Sequence, residues 1–227
     1  MKELYNKQVF TELTERTATE HTALVVVDVQ NDFCSEGGLI NQLGGTLTLA
    51  KQMLPRLRAL IEHARANAVK VVYIKNRNRP DGAYNSPSDL ARRLETYAEE
   101  HNLLITLEGS WGEEVVAEVA PKPGEVIVYK HRPDAFERTD LDLVLRSNGV
   151  KSVVITGTAT FACVESTARR ALMKDYYVTV VEDCVSATEE DLHHASLKVM
   201  RAFFGSGCVR KSEEVLEVWN RALANAR

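Results

Sequence analysis

The chain has 227 residues, of which 44% are hydrophobic, and a formal net charge of −4. This size and composition predict one globular domain, residues 1–227, with enough core to fold without disulfides. The 28 basic and 32 acidic residues are mixed along the chain, which argues against nucleic acid or an acidic membrane surface as partner. We therefore expect a small-molecule partner.

The cysteines and the apolar segments indicate the cellular compartment of the protein. The four cysteines form no C-x-x-C pair and no compact framework, so we interpret them as reduced thiols. No apolar stretch approaches the ~20 residues of a membrane span, and the first residues lack the apolar core of a signal peptide. Both features lead us to expect a soluble, cytoplasmic protein. The cysteines are Cys34, Cys163, Cys184 and Cys208.

Short apolar runs alternate along the chain with longer amphipathic patterns. Runs rich in valine and isoleucine predict strands buried on both faces, which is typical of parallel sheets. Apolar residues at helical spacing predict helices between and after them. The predicted strands are 23–28, 69–74, 126–130, 152–156 and 177–181, and the predicted helices are 46–67, 164–174, 189–203 and 212–224.

This alternation favours a three-layer α/β/α domain with a mostly parallel sheet and right-handed crossovers. Two stretches interrupt it. Residues 76–88 form a long polar loop that leaves the carboxyl end of a predicted strand, where loops usually carry function. Residues 109–124 contain turn residues at both ends, with a short amphipathic helix predicted over 113–119.

Three polar residues follow the ends of separate predicted strands. Asp28 ends one apolar run, Lys130 ends another, and Cys163 comes six residues after Gly157. Because the carboxyl ends of parallel strands meet at one edge of a sheet, we expect the three side chains to be neighbours. A cysteine nucleophile needs a base that accepts the proton of the thiol and a positive charge close to the sulfur, and these three residues provide both.

The neighbours of Cys163 bear on its reactivity. A free thiol has a pKa of about 8.5, and ionising it at neutral pH requires about 2 kcal/mol. One ammonium about 4 Å away offers about 4 kcal/mol at an effective dielectric constant of about 20. We therefore expect Lys130 and a nearby helix N-terminus to lower the pKa of Cys163. Asp28 acts oppositely as a charge, so its expected role is to accept and return a proton.

Each of these residues also has an ordinary structural interpretation when it is considered alone. Buried cysteines are usually inert. A strand-ending aspartate often caps the next turn, and a lysine at a strand end is usually solvated. It is the predicted convergence of Asp28, Lys130 and Cys163 at one sheet edge that favours a catalytic site over these alternatives.

Three segments carry a resemblance to a known family. Residues 23–38, 124–130 and 156–167 are similar, in order and spacing, to the isochorismatase-like cysteine hydrolases, and the resemblance spans about residues 20 to 210. It implies the Rossmann-like fold of that family. Phrases at 109–111, 121–124 and 141–150 resemble in particular the metal-free branch that includes the ureidoacrylate, biuret and N-carbamoylsarcosine amidohydrolases.

The resemblance implies a role for several positions. Cys163 is the implied nucleophile, Asp28 the general base and acid, and Lys130 the electrostatic partner. A cis peptide is implied between Thr158 and Ala159, with the backbone N–H groups of Ala159 and Cys163 as an oxyanion hole. The family also implies a homo-oligomer, a dimer or a tetramer, and no organic cofactor.

Position suggests residues that contact the substrate. Phe33 and Phe136 are candidates for the pocket wall, or alternatively core aromatics. Asn76 matches a substrate-binding asparagine of the ureidoacrylate branch, or alternatively forms a turn. Several arginines are candidates for a substrate carboxylate, although a surface position is the alternative for each. They are Arg77, Arg79, Arg132 and Arg201, the last of which stands where biuret hydrolases have glutamine.

We expect no metal. The metal-dependent branch of the family carries histidines after its second strand, whereas residues 75–80 here contain none. We interpret the histidines of this chain as surface or capping residues, since none has a trustworthy ligand spacing with a carboxylate. They are His21, His63, His101, His131, His193 and His194.

The sequence thus predicts a cysteine-dependent amidohydrolase that cleaves a ureido, carbamoyl or amide compound through a thioester and releases ammonia. Three alternatives remain open. They are an isochorismatase-type hydrolase, disfavoured because that branch lacks the cysteine at position 163; a metal-dependent nicotinamidase-type hydrolase; and a non-catalytic binding member of the family.

Overall fold

A computed structural model describes residues 1–97, 99 and 103–225, with side chains to residue 221. The strands are β1 (Lys2–Leu4), β2 (Lys7–Val9), β3 (Thr22–Val27), β4 (Lys70–Asn76), β5 (Val126–Lys130), β6 (Ser152–Thr158), β7 (Tyr177–Ser186) and β8 (Val209–Arg210). The helices are α1 (Leu13–Arg16), α2 (Asn31–Cys34), α3 (Leu39–Gln42), α4 (Thr48–Ala66), α5 (Pro87–Tyr97), α6 (Leu141–Ser147), α7 (Glu165–Met173), α8 (Glu190–Phe204) and α9 (Ser212–Asn225).

Six strands form one parallel sheet in the order β5-β4-β3-β6-β7-β8. The chain enters at the centre with β3, runs outward to β5, and returns to add β6 on the other side of β3. The strand order therefore reverses between β3 and β6. In open α/β sheets the ligand crevice lies at this reversal, outside the carboxyl ends of the strands.

Both faces of the sheet are covered by helices, as the three-layer prediction requires. Successive side chains of β3 point to opposite faces, so Val25 and Val27 pack in one apolar cluster with α6, α7 and α8. Leu24 and Val26 pack in the other, with α4 and α9. All six residues of β3 are buried, which explains why its sequence is apolar throughout rather than alternating.

The predicted strands and long helices agree with the observed ones to within a few residues, apart from β7, which continues five residues beyond its predicted end. The predicted helix over 113–119 is wrong. Two 3₁₀ turns, Trp111–Glu113 and Ala117–Val119, stand there instead. Between them the backbone is extended, because the Val116 N–H donates to the Val29 carbonyl and the Glu114 carbonyl accepts from the Asn31 N–H.

The long loop predicted over 76–88 is shorter than expected. Asn76 belongs to β4, and Pro87 already begins α5, a helix that the sequence did not predict. The N-terminal hairpin β1–β2 was also unpredicted, because its turn residues Tyr5 and Asn6 both have positive φ yet neither is glycine. No helix in the described ranges is long and apolar enough to cross a membrane.

Candidate active site

Asp28, Lys130 and Cys163 converge at the carboxyl edge of the sheet. Asp28 follows β3 with a left-handed φ of 52°, and its N–H donates to the Ile74 carbonyl at 2.9 Å. This bend turns the chain out of the strand at the point where the strand order reverses. The Asp28 carboxylate is therefore fixed by strand geometry at the crevice that this fold offers to ligands.

Lys130 crosses from β5, two strands away from β3. Its side chain is 1% exposed, and its Nζ lies 2.8 Å from Asp28 Oδ2 and 3.3 Å from Cys163 Sγ. The Arg132 carbonyl accepts a further hydrogen bond from this ammonium at 3.0 Å. A buried charge needs such partners, because an unpaired one costs several kcal/mol. The ammonium thus holds the carboxylate and the thiol in one cluster.

A π-helical turn, Thr160–Val164, presents Cys163 just before α7. It follows Gly157, whose φ is 110° and where an added Cβ would lie 1.9 Å from the Val27 carbonyl oxygen, so only glycine fits between β3 and β6. The peptide bond between Thr158 and Ala159 is cis, at the position that the family resemblance implies. The turn therefore begins against the strand that carries Asp28.

Residues that sequence reasoning missed hold this turn in place. Thr160 Oγ1 lies 3.0 Å from the Ser186 carbonyl and 2.8 Å from His193 Nδ1, both buried contacts. Ser196 Oγ donates to the Thr160 carbonyl at 3.3 Å. These hydrogen bonds connect the nucleophile turn to β7 and α8. No local sequence motif predicts these contacts, because they join residues that are 26 to 36 positions apart.

The expectation of a thiol with a lowered pKa is wrong for this resting state. Burial raises the pKa of Cys163 to about 12; the Lys130 ammonium opposes this shift, and the Asp28 charge adds to it. Burial also raises the pKa of Asp28 despite the attraction of Lys130. For Lys130, burial acts to lower the pKa, but the charges of Asp28 and Cys163 outweigh it and the pKa is raised. The resting thiol therefore keeps its proton at neutral pH.

A cavity of about 560 Å³ opens above the cluster. Its wall includes Asp28, Lys130, Ala159 and Cys163, which are the implied catalytic and oxyanion-hole residues. A volume of this size is typical of pockets for small molecules. The other three cysteines are buried elsewhere, so Cys163 is the cysteine that the cavity reaches.

Two of the predicted substrate contacts lie in the cavity wall, namely Phe33 and Asn76. The Asn76 amide is positioned from the protein side, because its Nδ2 donates to Thr106 Oγ1 at 2.7 Å. Gln30 fixes its backbone, accepting from the Asn76 N–H and donating to the Asn76 carbonyl, each at 2.8 Å. Asn76 therefore presents a held side chain at the end of β4.

The prediction that Phe136 forms the pocket wall is wrong. Phe136 is buried in the apolar cluster under α6 and α7, with its ring 6.0 Å from that of Tyr176, and it is not among the described residues of the cavity wall. The chain turns away from the sheet edge after Lys130, and Ala135 is anchored to Thr167 by a 3.0 Å hydrogen bond. This turn carries Phe136 into the core.

Of the four arginines considered for a substrate carboxylate, Arg132 alone lies in the cavity wall as described. Its Nη1 donates to the carbonyls of Tyr84 and His131. The other three pair with carboxylates away from the cavity. The pairs are Arg77 with Glu113 and Glu108, Arg79 with Asp81, and Arg201 with Glu182.

The histidines divide between surface and interior. The interpretation of all six as surface or capping residues is wrong for His193, which is buried beside Thr160, and His131 lies in the cavity wall. His101 lies outside the described residues. Across the described part of the chain, no three histidine, cysteine or acidic side chains are grouped as metal ligands. Asn76 and Asn78, at the end of β4, instead hydrogen-bond to the chain itself.

Helix α5 supplies part of the wall that the sequence analysis overlooked. Asp89, Arg92, Arg93 and Tyr97 all face the cavity. The predicted loop ended at residue 88, and no element was predicted for residues 89–97, so the charges of this segment were not interpreted. Their one-turn spacing on a helix was the available signal.

Comparison with known proteins identifies the family. A family model described as the isochorismatase domain matches residues 22–212. The ureidoacrylate amidohydrolase RutB of Methylobacterium radiotolerans is 35% identical over 214 residues, covering 90% of this chain and 83% of its own.

Solved structures agree with that match. A cysteine hydrolase from Pseudomonas syringae pv. phaseolicola superposes with a TM-score of 0.78 at 28% identity, covering 90% of this chain and 94% of its own. N-carbamoylsarcosine amidase from Thermoplasma acidophilum gives a TM-score of 0.64 at 28% identity, covering 85% and 96%. Together with the sheet topology, these matches show that the chain belongs to the isochorismatase family of hydrolases.

Proposed function

We propose that this protein is a cysteine-dependent amidohydrolase that cleaves a C–N bond of a small ureido or carbamoyl compound, such as ureidoacrylate or biuret, and releases ammonia. The observation that carries the proposal is the contact of Lys130 Nζ with both Asp28 and Cys163 at the floor of the cavity. The names of the relatives from Methylobacterium and Thermoplasma support an amide or carbamoyl substrate.

In the first half of the reaction, Asp28 takes the thiol proton as Cys163 Sγ attacks the carbonyl carbon. Because the resting thiol is protonated, proton transfer accompanies the attack rather than preceding it. The N–H groups of Ala159 and Cys163 receive the developing oxyanion, a type of stabilisation worth several kcal/mol. The C–N bond then breaks, and ammonia leaves with the proton that Asp28 returns.

In the second half, Asp28 accepts a proton from water, which attacks the thioester carbonyl and displaces the Cys163 sulfur. The proton returns to the thiol, and the product leaves as a carboxylic or carbamic acid. Lys130 remains an ammonium throughout. Its positive charge keeps Asp28 usable as a base in a buried site where a lone carboxylate would be protonated.

Ammonia release from a small panel tests the proposal. The panel contains ureidoacrylate, biuret, N-carbamoyl amino acids, nicotinamide and simple amides, and it is measured with wild type, Cys163→Ala and the control Cys208→Ala, whose thiol is buried away from the cavity. We expect turnover of a carbamoyl compound that is lost in Cys163→Ala and kept in the control. Turnover of nicotinamide alone, or of nothing, contradicts the proposal; no turnover favours a non-catalytic member.

We also propose a homo-oligomer, a dimer or tetramer, which the family resemblance implies. Sedimentation equilibrium tests this, and a monomer at micromolar concentration contradicts it. The cytoplasmic location stays a prediction from cysteine usage.

A further inference from the structure

A buried arginine in the cavity wall has no use in the mechanism above. Arg93, on α5, has a side chain that is only 6% exposed. Arginine is almost never buried without a partner, because removing its charge from water is costly. Part of that cost is met by Asp89, which lies one turn earlier with its Oδ2 2.7 Å from Arg93 Nε.

The hydrogen bonds of Arg93 leave one side of its guanidinium group unused. Its Nε donates to Asp89 and its Nη1 to the Leu103 carbonyl at 2.9 Å, whereas its Nη2 donates to no acceptor in the part of the chain that the structure describes. Two contacts from the protein interior thus fix the plane of the group. A fixed guanidinium with free N–H groups is suited to bidentate recognition of a carboxylate.

Two arginines of the cavity wall share one carboxylate. Asp89 also accepts from Arg92 Nη2 at 2.9 Å and from Asn85 Nδ2 at 3.1 Å. Asp89 is therefore not available to Arg93 alone. Asp28 and Lys130 pair with each other, so neither pairs with Arg92 or Arg93.

Tyr97 links this wall to the catalytic cluster. Burial raises the pKa of its phenol, and the charges of both Arg93 and Cys163 act on it. The phenol thus lies within electrostatic reach of the arginine and of the nucleophile. Cys163 and the α5 residues line the same cavity, so it can hold a substrate that extends from Cys163 toward α5.

We propose that Arg93 is a specificity-determining residue that binds an anionic group, a carboxylate, at the end of the substrate remote from the scissile carbonyl, with Asp89 as its positioning residue. The inference rests on the proposed function and narrows it, since it selects carbamoyl compounds that bear a carboxylate over neutral ones such as biuret. It also assigns the role that the sequence offered to other arginines.

A matched pair of substrates tests this assignment. Steady-state kinetics are measured on ureidoacrylate and on its neutral methyl ester, with wild type, Arg93→Met and the control Arg79→Met, whose guanidinium pairs with Asp81 outside the cavity. We expect Arg93→Met to raise KM for the acid roughly 100-fold and to change kcat/KM for the ester less than about 3-fold. Arg79→Met leaves both values near wild type.

Further variants keep the test decisive. The double variant Asp89→Asn/Arg93→Met removes both buried charges and replaces the single variant if that one fails to fold. Arg92→Met and Arg132→Met test the other two arginines of the cavity wall. An equal loss on acid and ester in the folded variants, an unchanged KM for the acid, or a selective loss in Arg92→Met or Arg132→Met instead of Arg93→Met overturns the proposal.

A binding measurement without turnover distinguishes failure of this inference from failure of the proposed function. Calorimetry on Cys163→Ala measures ureidoacrylate and its methyl ester without turnover. Tighter binding of the acid that disappears in Cys163→Ala/Arg93→Met supports the carboxylate site even if the wild type hydrolyses neither compound. Equal binding of acid and ester by Cys163→Ala overturns it, whether or not the wild type is active.

Discussion

The floor of the cavity and the α5 side of its wall are built in different ways. The floor consists of Asp28 and Lys130 at the ends of parallel strands and of Cys163 on the turn that follows β6, so the hydrogen-bonded pairing of the strands fixes the positions of these residues. The α5 wall consists of charged residues on a helix that is packed at the rim, with Arg93 and Asp89 holding each other. The sheet thus positions the reactive groups of this protein, whereas the proposed carboxylate site lies on a helix outside the sheet.

The largest expected effect is at the floor. Asp28→Asn keeps the shape of the side chain but removes the proton acceptor, so we expect kcat to fall by about 1,000-fold to 10,000-fold. Ammonia release measures it, with Asp191→Asn on the exposed face of α8 as the control. Retention of more than a tenth of wild-type kcat in Asp28→Asn contradicts the assignment of Asp28 as the base.

The Asp28–Lys130 ion pair also contributes to the stability of the protein, because each charge is buried and depends on the other. Lys130→Met leaves a carboxylate buried without its counter-ion, which is expected to cost about 3 to 5 kcal/mol in free energy of unfolding. Urea denaturation of Lys130→Met, Asp28→Asn and the double variant measures the coupling between the two residues.

The stability of the double variant decides how the double-mutant cycle formed by these variants is interpreted. Because the double variant removes both charges, we expect it to recover most of the stability lost in Lys130→Met. Losses that simply add in the double variant are incompatible with a tight buried ion pair.

The pH dependence of kcat/KM tests the protonation states of Asp28 and Cys163 in the wild-type protein. The reaction needs an ionised Asp28, and burial raises the pKa of this carboxyl group. Raising the pKa moves the acid limb of kcat/KM upward, so the limb lies above the value of about 3.9 for an ordinary aspartate. Because the pKa of Cys163 is raised to about 12, ionisation of the thiol produces no alkaline limb below pH 9. An acid limb at or below pH 4 contradicts this account.

The smallest expected effects distinguish a phenylalanine in the cavity wall from one in the hydrophobic core. Phe136→Leu is expected to cost about 1 to 2 kcal/mol in unfolding free energy and to leave KM unchanged, because the ring lies in the core. Phe33→Leu, in the cavity wall, is expected to change KM more than stability. Thermal denaturation and steady-state kinetics on the two variants make the comparison, and an exchange of the two outcomes reverses the placement of the rings.

The sequence predicted the floor more successfully than the rest. Asp28 directly follows β3, which is buried throughout, and Lys130 ends β5, an edge strand that is partly exposed rather than buried on both faces as predicted. The convergence of the two residues follows from the shared direction of the parallel strands. The same local reasoning failed for Phe136, because what decides its position is a turn after Lys130 held by Thr167, a residue more than thirty positions away.

Two further failures have physical causes. Arg93 was overlooked although Leu90, Leu94 and Tyr97 recur at helical spacing, because the polar loop before them drew the prediction away from this short helix. The raised pKa of Cys163 was missed because the sequence indicates which charges are near a thiol but not how deeply the fold buries it. Burial outweighs the ammonium in the folded protein.

Trapping with hydroxylamine tests whether Cys163 becomes covalently attached to the substrate carbonyl. Hydroxylamine competes with water for a thioester, so turnover of ureidoacrylate in its presence is expected to yield the N-hydroxyurea derivative by mass spectrometry, in proportion to hydroxylamine concentration. Neither this product nor ammonia is expected with Cys163→Ala. Full ammonia release without any hydroxylamine adduct, or an active Cys163→Ala, would contradict a covalent mechanism at this site.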